Sequence, residues 1–192
     1  MPQKNYNKGM IVLAGASASG KTEVAKELAK KYGITKVITT TTRVMRVNEV
    51  NGRDYFFVSK EEFERMVQDG RFVEYTVFNE NLYGSTKDQI SPNKCVVIDP
   101  AGLRAYIALN DNSIVTFFLD STEETRYSRM LARGDKEELA KKRIIHDREA
   151  FKPENVANVD FHINSENTTV EQVCDDVYQK YNETLKARGL KK

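Results

Sequence analysis

The chain has 192 residues, of which 40% are hydrophobic and 30% charged, enough to build the core of one α/β domain without a metal or disulfide. Thirty basic residues stand against twenty-eight acidic ones, a balance that gives no support for wholesale nucleic-acid or membrane binding. The two cysteines, Cys95 and Cys174, lie among aliphatic residues, so we expect buried thiols in a reducing compartment. No apolar run reaches the roughly 18 residues of a membrane span or resembles a signal peptide, which predicts a cytoplasmic protein.

The predicted elements alternate between strands and helices along most of the chain. An apolar strand over 10–14 is followed by a small-residue loop and a helix over 22–31, whose apolar positions recur at intervals of three and four. Further strands are predicted over 95–98, 114–119 and 159–163, and helices over 101–109, 122–132, 136–151 and 168–187. This alternation predicts a parallel sheet covered by helices on both faces.

The segment from about residue 36 to 92 breaks the alternation. It is rich in Thr, Tyr and Phe and carries turn signals at Asn51-Gly52, Asp69-Gly70 and Tyr83-Gly84. These features predict an inserted, partly β subdomain beside the main sheet.

A complete G-x-x-x-x-G-K-[ST] motif lies between the first strand and the first helix. Its glycines let successive N–H groups turn toward phosphate oxygens, and the following helix directs its positive end at the same anion. The lysine neutralises phosphate charge and the final hydroxyl can bind Mg²⁺. The motif predicts an ATP-binding loop formed by Gly15, Ala16, Ser17, Ala18, Ser19, Gly20, Lys21 and Thr22, with Thr22 as the metal ligand.

Four segments resemble the substrate half of guanylate kinases in order and spacing: TTTTRVMR at 39–46, EVNGRDYFFV at 49–58, FVEY at 72–75 and NLYGS at 81–85. With the phosphate loop, the resemblance spans nearly the whole chain. It implies a three-layer P-loop domain with a parallel sheet, an inserted mixed α+β GMP-binding subdomain and a helical lid. The implied limits are 8–35, 93–126 and 150–192 for the core, 36–92 for the subdomain and 127–149 for the lid.

The resemblance also implies the substrate contacts. Arg43, Arg46, Tyr55 and Tyr83 would hold the GMP phosphate, and Thr39, Glu74, Ser85 and Asp99 would contact guanine. The chemistry agrees, because arginine forks and phenolic hydroxyls suit a nearly dianionic phosphate. Guanine presents two adjacent donors that one carboxylate can accept, whereas adenine presents a lone pair there. Glu74 is therefore the predicted specificity residue.

The segment after residue 126 resembles the lid of the same family, with Arg133-Gly134 followed by an acidic stretch and a helix bearing a further arginine. It implies ATP phosphate contacts from Arg129, Arg133 and Arg143, although the interval between the last two is one residue shorter than is common. Phosphoryl transfer depends on alignment and on neutralising the moving group, so Lys21, Arg43 and these lid arginines are the predicted catalytic set.

Two departures and three alternatives accompany this interpretation. Ala18 stands in the loop where glycine would bend more freely, and Val97 occupies a position that is often acidic in the family. The alternatives are a guanylate-kinase-like interaction module without catalysis, a related P-loop kinase for another acceptor such as a ribose phosphate, and a regulatory NTPase. The expected ligands are GMP, ATP and Mg²⁺, with no nucleic acid and no membrane; dGMP use and oligomeric state stay open.

Overall fold

The computed structural model describes residues 9–78, 80–156 and 158–190, so the predicted outer limits at residues 8 and 192 lie outside the described part. The helices are α1 (Lys21–Tyr32), α2 (Lys60–Gln68), α3 (Pro100–Ala108), α4 (Glu123–Ala132), α5 (Glu137–Ala150) and α6 (Val170–Ala187). The strands are β1 (Met10–Ala14), β2 (Thr35–Lys36), β3 (Thr40–Thr41), β4 (Phe56–Phe57), β5 (Phe72–Phe78), β6 (Asn81–Thr86), β7 (Lys94–Ile98), β8 (Ile114–Asp120) and β9 (Phe161–Asn164).

The main sheet is parallel and has the order β2-β7-β1-β8-β9, with β1 at its centre. Because side chains alternate along a strand, β1 serves two cores. Ile11 and Leu13 pack with α1 and α6, while Met10 and Val12 face the core that includes Leu103 of α3. Burial on both faces explains why β1 is apolar throughout, and the predicted α/β class with a helix-covered parallel sheet is confirmed.

A second sheet has the order β4-β3-β6-β5 and is built around the antiparallel pair β5–β6. Its small core is formed by Phe63 and Met66 of α2 against Phe72 of β5. The sequence analysis assigned no helix here, although Ser59 caps α2 by accepting the Glu62 N–H at 3.1 Å.

The turn predicted at Tyr83-Gly84 is wrong, because both residues lie inside β6. A side chain at Gly84 would meet the Phe72 ring at 2.7 Å and the Glu74 carbonyl oxygen at 2.9 Å. The glycine therefore permits close packing of β5 on β6 rather than a reversal. The turn signals at Asn51-Gly52 and Asp69-Gly70 are confirmed, with both glycines at positive φ. The last strand begins two residues later than predicted.

Helices α4 and α5 form a pair with its own core of Met130, Ala140 and Ile144, against which Ala18 of the phosphate loop packs. This contact joins the two helices to the loop that follows β1. Both cysteines are free and buried, as predicted. Among the described residues, no helix has the length and apolar character needed to cross a membrane.

Candidate active site

The loop over residues 15–22 connects the buried end of β1 to the first turn of α1. Gly15 and Gly20 have φ of 145° and 99°, and Ala18 has φ of 61°, so the loop uses left-handed backbone at a non-glycine position as well. The Lys21 ammonium curls over the loop and donates to the carbonyl oxygens of Gly15 at 2.6 Å and Ala16 at 2.8 Å. The backbone of the loop therefore closes around the ammonium group of Lys21.

The environment of Lys21 weakens its hold on a proton. Burial lowers the pKa of this ammonium to about 8; the charge of Arg126 adds to that effect and the charge of Asp147 opposes it. An ammonium whose hydration is replaced mainly by two carbonyl oxygens gains from the arrival of an anion. The loop is therefore suited to a phosphate group.

A main cavity of about 780 Å³ opens in front of this loop. Nine of the residues predicted to contact ATP or GMP line it: Gly15, Ser17, Lys21, Thr39, Tyr55, Glu74, Tyr83, Ser85 and Asp99. They come from the phosphate loop, the second sheet, its flanking loops and the end of β7. The two halves of the predicted site therefore share one space.

Glu74 of β5 and Ser85 of β6 are direct partners in the antiparallel register. Glu74 Oε1 accepts hydrogen bonds from the Ser85 amide at 3.1 Å and from the Ser85 hydroxyl at 2.6 Å. Burial raises the pKa of Glu74, and the two bonds from Ser85 oppose that shift. Both bonds fall on Oε1, so the second carboxylate oxygen stays available to a ligand in the main cavity.

Arg43 lies behind the aromatic wall of the main cavity. Its guanidinium stacks over the Tyr55 ring at 5.3 Å and the Phe57 ring at 5.6 Å, and it donates to Glu49 at 2.7 Å. The hydrogen bond from Arg43 lowers the pKa of Glu49. Arg43 itself does not line the cavity in this structure, and the nearby Arg46 is exposed.

Asp99 follows β7 and caps α3, accepting the Gly102 N–H at 2.8 Å. The charge of Asp99 adds to the effect of burial, which raises the pKa of Glu74. Thr39 lines the same space just before β3. At the position often acidic in the family, Val97 contributes an apolar wall.

A second opening, the lid-side cavity of about 560 Å³, lies on the other side of the loop. It is lined by six of the predicted residues, Ala18, Ser19, Gly20, Thr22, Arg129 and Arg133, and shares Lys21 with the main cavity. Arg129 donates to the carbonyl oxygens of Ser165 at 2.6 Å and Ala18 at 3.3 Å, so it is anchored beside the loop.

The other two arginines of the predicted lid share one hydrogen-bond partner. Arg133 and Arg143 donate to the same oxygen of Asp135, at 2.7 Å and 2.9 Å. Arg143 lines neither cavity, and both arginines are about half exposed. In this structure their charges are held by Asp135 outside the main cavity.

Sequence reasoning missed four charged residues at the site, one of which, Lys36, lines the main cavity. Asp147 and Arg104 line the main cavity, and Arg126 is buried against Asp147 at 2.8 Å. A helical-face signal was present, because Asp147 lies one turn after Arg143 and Arg126 one turn before Arg129. Their types alone did not distinguish them from surface charges.

No cluster of three or more His, Cys, Asp or Glu side chains suited to a metal occurs in the described part of the chain. Mg²⁺ keeps several waters and is bound in nucleotide sites by few protein oxygens plus phosphates. Thr22 is exposed in the first turn of α1 and lines the lid-side cavity next to Lys21. The oxygen donors present fit such an ion.

A parallel sheet whose central strand ends in a lysine-bearing phosphate loop defines a P-loop nucleotide-binding protein. A family model described as Guanylate kinase matches residues 7–184. The chain belongs to the guanylate kinase family.

Similar proteins agree in sequence and in structure. A guanylate kinase from Helicobacter pylori (strain J99) is 32% identical over 150 residues, covering 74% of this chain and 73% of the relative. One from Clostridioides difficile is 32% identical over 136 residues, covering 67% of this chain and 66% of the relative, just under two thirds of its length. The crystal structure of a guanylate kinase from Anaplasma phagocytophilum superimposes with a TM-score of 0.58 at 26% identity, covering 95% of this chain and 87% of the other.

Proposed function

We propose that this protein transfers the γ-phosphoryl group of ATP to the phosphate of GMP, giving GDP and ADP. The observation that carries the proposal is the shared cavity, in which Lys21 of the phosphate loop and the Glu74–Ser85 pair line one space. A kinase for a nucleoside monophosphate needs a phosphate cradle and a base-reading group within reach of each other. The cavity supplies both.

GMP would lie against the second sheet. Glu74 accepts the N1–H and 2-amino donors of guanine, Ser85 fixes the carboxylate, and Thr39 and Asp99 complete the base pocket. Tyr55 and Tyr83 donate their hydroxyls to the GMP phosphate, supported by Arg43 and Arg46. Residues 36–92 are on this view the GMP-binding subdomain, 127–149 the lid and the remainder the core.

ATP would bind with its phosphates on the loop of residues 15–22. A GMP phosphate oxygen attacks the γ-phosphorus, forming the new P–O bond as the bond from that phosphorus to the bridging β-oxygen breaks. Lys21 and the lid arginines Arg129, Arg133 and Arg143 offset the negative charge on the moving group. A closed lid also excludes water, which would otherwise accept the phosphoryl group.

Thr22 would hold Mg²⁺, which would supply positive charge to offset the negative charge of the ATP phosphates. We place the enzyme in the cytoplasm, with GMP and ATP as its small-molecule partners and without nucleic acid.

Offered GMP, AMP, CMP and UMP with ATP and Mg²⁺, the protein is expected to convert GMP fastest by a wide margin, because only guanine presents two donors to Glu74. ADP formation with each acceptor, measured in a coupled assay, tests this. Equal rates without any acceptor would indicate an NTPase. No turnover with any acceptor would favour the interaction module.

The lowered pKa of Lys21 predicts a proton coupled to ATP binding. In the empty protein the ammonium loses its proton above about pH 8, and the phosphates of ATP draw the pKa back toward its ordinary value. Between these two pKa values binding takes up a proton, so nearly one proton per ATP is expected at about pH 9. Calorimetric titrations in buffers of different ionisation enthalpy measure this uptake; a heat that does not depend on the buffer at that pH contradicts it.

A further inference from the structure

Beside the phosphate loop lies a buried ion pair that the proposed function does not use. Arg126 of α4 donates to Asp147 of α5 at 2.8 Å, and each residue is 5% exposed. The same Asp147 oxygen, Oδ2, accepts the backbone N–H of Ser17 at 2.8 Å, and Oδ1 accepts the Ser17 hydroxyl at 3.2 Å. One carboxylate thus joins both lid helices to the phosphate loop.

Stability alone does not account for this pair. The Nε atom of Arg126 is buried without a hydrogen-bond partner among the described residues. Buried ion pairs that are not fully satisfied often leave a protein no less stable when apolar residues of similar volume replace them. Near the same carboxylate lie Lys21, whose charge interacts with that of Asp147, and the exposed imidazole of His146, 3.8 Å from Oδ1. Fold stability is therefore a weak reason for the pair.

The position of the pair indicates a role at the phosphate loop. Ser17 lies between Gly15, whose carbonyl accepts from Lys21, and Ala18, whose backbone is left-handed. An amide held at this point constrains the backbone direction of the loop just ahead of the segment that meets phosphate. Arg126 also lies 3.5 Å from the Ser17 carbonyl oxygen, so both ends of that residue's backbone are engaged.

We infer that Asp147 and Arg126 are positioning residues for the phosphoryl donor. Asp147 holds the Ser17 amide and thereby sets the phosphate loop in its ATP-binding shape, and Arg126 fixes that carboxylate to the helices that carry the lid arginines. This inference rests on the proposed function for its turnover readout, while its binding readout needs ATP alone.

The test compares two double variants of the full chain, Arg126→Met with Asp147→Asn and Arg126→Met with Asp147→Leu. Both remove the buried charges, and Asn and Leu have the same number of side-chain heavy atoms with the same branching at Cγ. Only Asn retains an oxygen that can accept the Ser17 N–H. We expect the Leu variant to bind ATP about tenfold more weakly than the Asn variant, since its Ser17 amide is left unpaired.

Calorimetric Kd for ATP and KM for GMP are measured on both variants, together with Tm. The expected result is a difference confined to ATP, with equal KM for GMP. Equal ATP affinities in the two variants, or parallel losses for both nucleotides, overturn the inference and leave the pair a purely structural role. The Kd for ATP is measured without turnover. If the two variants differ in Kd for ATP but the protein does not phosphorylate GMP, the proposed function is wrong and the inference about the phosphate loop stands.

If the Leu variant does not fold, the single variant Asp147→Glu tests the same inference. It keeps the charge that Arg126 requires and displaces the carboxylate by one methylene. Weaker ATP binding at an unchanged Tm supports positioning of Ser17, and wild-type ATP affinity overturns it.

Discussion

Glu74→Gln is expected to lower kcat/KM for GMP by about 10³-fold, because the amide replaces an acceptor for two guanine donors with one acceptor and one competing donor. Ser85 already occupies Oε1, so the amide cannot serve both Ser85 and guanine. Adenine offers an acceptor at its N1 edge, to which the new amide can donate. The preference for GMP over AMP is therefore expected to shrink as well. Steady-state kinetics with both acceptors measure these changes.

The matched control is Glu64→Gln on α2, an exposed carboxylate outside the main cavity. It is expected to leave both acceptors unaffected, as surface substitutions usually do. ATP affinity should stay within about twofold of wild type in Glu74→Gln, because the donor binds elsewhere. Equal losses for GMP and ATP would show that Glu74 supports the fold of the site rather than reading the base.

Lys21→Met is expected to reduce kcat by about 10²- to 10³-fold, the usual consequence of removing one preorganised donor from a transition state. Methionine keeps most of the side-chain length but neither the charge nor the bonds to the Gly15 and Ala16 carbonyls. Single-turnover experiments with saturating ATP separate the chemical step from weakened binding.

Lys26→Met on the same helix provides the comparison, since Lys26 is exposed and pairs with Glu23 on the surface. Its kcat should match wild type. A kcat for Lys21→Met within tenfold of wild type would remove the loop lysine from the catalytic set. GMP affinity in Lys21→Met should be unchanged, because the proposed function places the acceptor against the second sheet.

Periodicity and a short motif predicted the parallel sheet and its phosphate loop because both depend on local rules. Buried parallel strands need continuous apolar runs, and a phosphate loop needs small residues at a strand–helix junction. Helix α2 was missed because its apolar residues are few and the core that Phe63 forms with Phe72 of the following strand is small. Gly84 was misinterpreted because close packing and a turn both call for glycine.

The base-reading role proposed for Glu74 rests on resemblance to a family, since Glu74 alone is indistinguishable in the sequence from a surface carboxylate. The Asp147–Arg126 pair escaped because neither periodicity nor resemblance indicates which charge on an amphipathic helix is buried. Its partner, Ser17, lies 130 residues away along the chain. Contacts of such separation are set by how the helices pack on the loop, which no local pattern encodes.

The sharing of Asp135 by Arg133 and Arg143 has a consequence for how readily the lid can act. Both arginines are at the surface, where ion pairs contribute little to stability, so exchanging this counter-ion for a triphosphate requires almost no work. Without bound nucleotide, the carboxylate of Asp135 thus offsets the mutual repulsion of two neighbouring positive charges. If the proposed function holds, a ligand more highly charged than a single carboxylate, such as the triphosphate of ATP, would be needed to draw both arginines from Asp135 at once.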